Sequence, residues 1–103
     1  MPAMSKVQLR IPPWIASMLN EPDSEWLTIE KELEEGTTIG NLLVGLALSY
    51  TDFRKVVFNP DIGRVSDQVM VFLNDSLLQG SDVTEARLND GDSIMLLPVY
   101  AGG

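Results

Sequence analysis

The strongest constraint on the fold comes from the stretch Leu88-Asn89-Asp90-Gly91-Asp92-Ser93-Ile94-Met95-Leu96-Leu97-Pro98-Val99. Tight turns favour Asn, Asp and Gly, so positions 89–92 predict a turn. The apolar run that follows predicts a strand over 93–99. Successive side chains of a strand point to opposite faces, so both faces of this strand are apolar.

Two further strands precede a helix. Apolar and polar residues alternate over 6–11, which predicts a first strand that Pro12-Pro13 ends. The run Trp26-Leu27-Thr28-Ile29-Glu30 predicts a second strand, followed by an acidic turn from Glu32 to Gly36. We expect the two strands to form an antiparallel hairpin with a long connection.

Helical spacing of apolar residues begins at Ile39 and predicts a helix that runs to near Tyr50, with Thr37 or Thr38 as its cap. A second short helix is predicted from Asp52 to Phe58. Beyond it, the pattern predicts a loop over 61–68, a strand over 69–73, a hairpin through Asn74-Asp75 to Leu77-Leu78, and a polar connector over 80–88.

This order of elements predicts an α+β roll, a mixed sheet of four to five strands with one main helix on one face. We expect the first and last strands to pair in parallel in the middle of the sheet, because the helical crossover lets strands of the same direction meet. The rest of the lateral order stays open.

Composition excludes several classes of function. The chain has 103 residues, no Cys, no His and a formal charge of −8, which predicts one domain without zinc, haem or thiol chemistry. Its acidity disfavours binding to nucleic acid. It has no apolar stretch long enough to cross a membrane and no leader pattern at Met1–Lys6, so we expect a cytoplasmic protein.

The chain ends Pro98-Val99-Tyr100-Ala101-Gly102-Gly103. Gly orders least willingly of all residues, so we expect a domain over 1–98 and a flexible tail over 99–103. At ~3.3 Å per residue, that tail reaches roughly 15 Å beyond the body. A slim arm of this kind suits a narrow active site.

Two stretches resemble the ubiquitin-like sulfur carriers of the MoaD and ThiS type, which have the β-grasp fold. Residues Leu88–Ile94 look like that family's Leu-x-Asp-Gly-Asp-x-Val approach to the last strand, and Leu97–Gly103 look like its apolar-Pro-x-x-Ala-Gly-Gly tail. The likeness continues loosely through Val71–Asp75 and the helix near Thr38.

The resemblance implies a carrier rather than an enzyme. A partner adenylating enzyme, using ATP and Mg, would activate the carboxylate of Gly103, and sulfur would then replace AMP to give a thiocarboxylate. Tyr100, Ala101 and Gly102 would lie in the partner's channel, although the family usually has a smaller aliphatic residue in place of Tyr100. The carrier itself would bind no cofactor.

The destination of the sulfur stays open. A second partner would be a sulfur-accepting synthase or a large subunit. Molybdopterin synthesis and cysteine synthesis both fit the layout of the chain, and its length mildly disfavours the thiamine branch.

Alternation also suggests a partner-binding patch. If the helix covers one face of the sheet, the opposite face exposes Met70, Phe72, Met95 and Leu97. The alternative is that the loop 61–68 or the segment 12–25 shields them. Two tryptophans, Trp14 and Trp26, are interpreted as anchors in the core or in that segment, with contact to a partner as the less favoured alternative.

Two other functions remain to be weighed. Gly103 could be conjugated to lysines of other proteins, or the chain could be a non-covalent ubiquitin-like interaction module. The acidic residues Glu32, Glu34 and Glu35 are expected in a solvated turn rather than in a catalytic or metal site.

Overall fold

The computed structural model describes residues 4–19 and 25–99. In chain order the elements are β1 (Met4–Ile11), α1 (Pro13–Ala16), a 3₁₀ turn (Ser17–Leu19), β2 (Leu27–Glu34), α2 (Ile39–Ser49), α3 (Thr51–Val56), β3 (Phe58–Asn59), β4 (Arg64–Val65), β5 (Val69–Leu73), β6 (Ser76–Leu77), α4 (Asp82–Glu85) and β7 (Ser93–Pro98). No helix in these described ranges is long and apolar enough to span a bilayer.

The main sheet has five strands in the order β2-β1-β7-β5-β6. Strands β1 and β7 pair in parallel, with Gln8 opposite Ser93, while β1–β2 and β5–β7 are antiparallel. The expected parallel pair in mid-sheet is therefore confirmed. Because the chain between these two strands includes helix α2, they can run in the same direction.

Helix α2 lies on one face of this sheet and closes the core. Its apolar positions recur at helical spacing, and those that are buried are Ile39, Leu42, Leu43, Leu46 and Ala47. Thr38 caps the helix, since its hydroxyl accepts a hydrogen bond from the Asn41 backbone N–H at 3.1 Å. Against the helix lie the inward-facing residues of the strands, among them Val7, Leu9, Val71, Ile94 and Leu96.

The turn over 89–92 joins three parts of the fold. Lys6 of β1 donates its backbone N–H to Asp90 Oδ1 at 2.7 Å. Asp92 accepts from the Asn89 backbone N–H and from Asn74 Nδ2, and the Asn74 side chain accepts from the Ser93 N–H. This network explains why Asp occupies the approach to β7, because Asp90 accepts from a backbone N–H of β1 and Asp92 accepts from a backbone N–H within the turn.

Three local predictions were wrong. Glu32 and Glu34 belong to β2 rather than to a turn, and their side chains alternate with those of Lys31 and Leu33. The loop predicted over 61–68 contains β4, which pairs with β3 in a separate two-stranded sheet. The polar connector contains the short helix α4.

The two tryptophans are not core residues. Trp14 is 41% exposed and Trp26 is 48% exposed, so the prediction of buried anchors was wrong. The anchors in this part of the chain are instead Ile15, Ala16 and Leu19, which are buried in the same core as α2. The rigid Pro12-Pro13 pair starts α1 in an orientation that turns Ile15 inward and leaves Trp14 in solvent.

Candidate functional site

The candidate site is the sheet face opposite α2, called here the open face. Register brings its four predicted residues together, because Met70 pairs with Leu97 and Phe72 pairs with Met95 across β5 and β7. All four are partly exposed, whereas their strand neighbours Val71 and Ile94 are buried in the core. The alternation of β5 and β7 thus separates a core side from a solvent side.

Two more apolar residues border this group. Leu77 of β6 lies opposite Phe72 and is 44% exposed. Val99, directly after β7, is 42% exposed. The sequence also predicts that Leu77 belongs to this group, because a two-residue turn at Asn74-Asp75 places residue 77 opposite residue 72.

Charged side chains become more frequent along β1 and β2 with distance from this apolar group. Arg10 lies opposite Met95 on β1, and Glu30 lies opposite Gln8. Lys6 Nζ and Glu30 Oε1 are 3.6 Å apart, and both side chains are more than half exposed. Such an exposed ion pair contributes little to stability.

The tail begins where the open face ends. The Val99 N–H donates to the carbonyl of Gln68 at 2.8 Å, which extends the strand contact one residue past β7. Tyr100, Ala101, Gly102 and Gly103 lie outside the described residues, and the predicted tail and its roles stay predictions.

Parts of the two segments that were alternatives for covering the open face lie on the core side instead, while Pro12, at the start of the segment 12–25, is buried. Residues 64–67 line a cavity of about 530 Å³ together with Val69 and Val71, which point to the core side. The described part of 12–25 supplies Ile15, Ala16 and Leu19 to the core.

A second cavity, of about 560 Å³, lies between α3 and the β3–β4 hairpin. Its charged residues are exposed and partly paired, with Arg54 Nη2 3.0 Å from Asp61 Oδ2. None of the open-face residues lines it. Neither cavity is lined by Met70, Phe72, Met95 or Leu97.

A sequence profile of the ThiS family matches residues 18–103. Among curated proteins, none matches the sequence significantly. The solved structures that it resembles share the ubiquitin-like β-grasp fold.

Three of these structures cover almost the whole chain. The small archaeal modifier protein 1 from Methanosarcina acetivorans matches with a TM-score of 0.69 at 21% identity, covering 98% of this chain and 99% of that one. A putative molybdopterin converting factor, subunit 1, from Pyrococcus furiosus gives 0.67 at 19% identity, with 93% and 99% covered. A chain of the BexX/CysO complex from Amycolatopsis orientalis gives 0.65 at 22% identity, with 94% and 99% covered. At these identities the likeness shows the fold alone.

Proposed function

This chain belongs to the ThiS family, and on that premise we propose that it is a sulfur carrier whose reactive group is the α-carboxylate of Gly103. The observation that carries the proposal is the family match itself, because it extends through residue 103 and so includes the Ala-Gly-Gly tail. The fold supports it, since the tail leaves from a strand held on both sides by neighbours.

The chemistry starts with a carboxylate that cannot react as an electrophile until it is activated. An α-carboxylate such as that of Gly103 is ionised at neutral pH. Its oxygen attacks the α-phosphorus of ATP in the adenylating partner, an acyl adenylate forms, and pyrophosphate leaves with its electron pair. A sulfide-level donor then attacks the acyl carbon, AMP leaves, and the product is a thiocarboxylate.

The chain's own residues contribute access and docking. Gly102 and Gly103 have no side chains, so they suit a narrow channel. Met70, Phe72, Met95 and Leu97 form the proposed partner-binding patch, which lies on the open face beside the start of the tail. Partners of two kinds are proposed, an adenylating enzyme and a synthase or large subunit that accepts the sulfur. One fold relative occurs in a complex, BexX/CysO, which agrees with a protein that works through partners.

Protein modification is the second candidate function. It is favoured by the fold match to the small archaeal modifier protein 1. The activation step is the same, but a lysine amine attacks the acyl adenylate, AMP leaves, and an isopeptide bond joins Gly103 to the target.

Intact mass measurement tests the proposal. The protein is expressed together with the adenylating and sulfur-transfer enzymes of its own organism. We expect a mass gain equal to the difference between sulfur and oxygen, and we expect it to disappear in the variant that lacks Gly102 and Gly103.

The other outcomes identify the competing functions. Chymotryptic peptides in which a lysine carries an Ala-Gly-Gly remnant, left by cleavage after Tyr100, would support the modifier. Two results together would overturn both covalent functions in favour of a non-covalent module. The mass would be unchanged, and the variant that lacks Gly102 and Gly103 would keep its biological activity.

A further inference from the structure

The open face carries a row of apolar residues at the end where the tail begins. Leu97 and Met70 are paired in this row. On the other side of β7, continuing the parallel register of Arg10 with Met95 places Pro12 beside Leu97, and Pro12 keeps an extended backbone. Continuing the pairing of Ile11 with Leu27 then places Trp26 opposite Pro12.

Trp26 shares the face of this row. The side chains of β2 alternate from Leu27, which faces the core, to Thr28, which is exposed. One step back along the same alternation puts Trp26 on the side of Thr28. Trp26 is 48% exposed, the larger exposure of the two tryptophans.

Polarity rises with distance from this end of the sheet. The first row, Trp26-Pro12-Leu97-Met70, is entirely apolar. The second contains Thr28, Arg10, Met95 and Phe72, and the third contains Glu30, Gln8 and Ser93. The apolar row is therefore longest at the end of the sheet where Val99 follows β7. Within it Trp26 is exposed, Leu97 and Met70 are partly exposed, and Pro12 between Trp26 and Leu97 is buried.

The reach of the tail determines what lies over this row. Four residues follow Val99, and fully extended they span about 13 Å. Trp26 and Leu97 are two strand spacings apart, which is about 10 Å. A protein that holds Gly103 in its active site therefore has surface within reach of Trp26.

We infer that Trp26 is a docking residue for the adenylating enzyme that takes the tail, inserted into an apolar pocket beside the opening of that enzyme's channel. The inference rests on the proposed function and extends its patch from β5 and β7 across β1 to β2. Tryptophan is enriched among the few residues that dominate binding energy, because it removes a large area from water and retains an N–H donor.

Fluorescence and kinetics together test this role. The variant Trp14→Phe leaves Trp26 as the only tryptophan and serves as the reference protein. When the purified adenylating enzyme, itself freed of tryptophan by substitution, is added, we expect the emission to move to shorter wavelength and acrylamide quenching to fall. Trp26→Ala should raise the KM for the carrier about tenfold or more with kcat unchanged.

The matched control is Leu48→Ala. Leu48 is 69% exposed on α2, on the opposite side of the sheet, and should leave the KM unchanged. Circular dichroism of each variant shows whether the fold is retained.

Each remaining outcome has one meaning. Normal adenylation with unchanged Trp26 emission and unchanged KM in Trp26→Ala would overturn the inference. Two results with the free carrier, in the absence of the enzyme, would also overturn it. One is a Trp26 emission that shifts with carrier concentration, which would indicate a second copy as the occupant, and the other is an emission that moves to longer wavelength when residues 100–103 are deleted, which would indicate the chain's own tail. Shielding of Trp26 by the enzyme without any adenylation would refute the proposed chemistry and still support the docking residue.

Discussion

Asn74 has two roles at once in the turn between β5 and β6. Its backbone is left-handed, with φ of 50°, and Asp75 beside it has φ of 70°. Its side chain donates to Asp92 and accepts from the Ser93 N–H, each at 2.9 Å. One residue therefore shapes a hairpin and ties it to the start of β7.

These two roles can be separated by substitution. Asn74→Gly removes both side-chain hydrogen bonds but keeps the backbone conformation, and should lower the free energy of unfolding by about 1–2 kcal/mol. Asn74→Ala removes the same bonds and adds strain at positive φ, so it should cost about 1 kcal/mol more. Urea unfolding measures both values, and equal losses in the two variants would show that the backbone conformation is unimportant.

The sequence predicted the two turns but not the bonds between them. Asn74-Asp75 and residues 89–92 were assigned as turns because their residue types favour turns. Asn74 and Asp92 meet only because β5 and β7 are neighbours, and a lateral order of strands leaves no local pattern in the chain.

Helix α2 contains two glycines in different surroundings. A Cβ added at Gly40 would lie 2.9 Å from the Thr84 carbonyl oxygen, so α4 packs closely against the helix there. A Cβ added at Gly45 would meet nothing within 4 Å. The same substitution thus has opposite consequences in one helix.

We expect Gly45→Ala to raise the free energy of unfolding by about 0.5–1 kcal/mol, because Ala orders more readily than Gly in a helix. Gly40→Ala gains the same propensity but forces α4 away from the helix, and the net loss should be about 1 kcal/mol. Thermal unfolding of the pair measures the contrast. If Gly40→Ala proved more stable than wild type, α4 would be shown to move away from the added methyl group at little cost in free energy.

Long elements were predictable and short ones were not. Residues 6–11 and 39–49 repeat their patterns often enough to identify a strand and a helix. Strands β3 and β4 have two residues each, too few to show alternation. Glu32 and Glu34 were assigned to a turn by composition, although their alternation with Lys31 and Leu33 was a strand signal.

At the scale of the molecule, the sheet separates two environments. One face meets α2 and forms the core, and the open face carries an apolar group that is partly exposed. The four patch residues were identified by alternation alone. The exposure of Trp14 and Trp26 could not be predicted from the local sequence, because burial of a large side chain depends on where the chain turns after β1.

A charge introduced on the open face should block docking while the fold survives. Phe72→Glu or Leu97→Glu is expected to raise the KM of the adenylating enzyme for the carrier at least about tenfold, since the partner would have to desolvate a carboxylate. Unfolding curves should stay close to wild type, because both side chains are already partly exposed.

The control for this test is Leu48→Glu on the solvent side of α2, which should leave the kinetics unchanged. Wild-type KM values in both open-face variants would remove the patch from the proposed function.

Strand β7, the last strand of the main sheet in chain order, lies between β1 and β5. Until β7 leaves the ribosome, the hairpins β1–β2 and β5–β6 have no strand between them to pair with. Long-range strand pairings of this kind form late in folding. A polypeptide broken off before Ser93 lacks the centre of its sheet, and such a product is exposed to proteases. A chain that stops before β7 therefore lacks both the centre of its sheet and the terminal Ala-Gly-Gly on which the proposed activation depends.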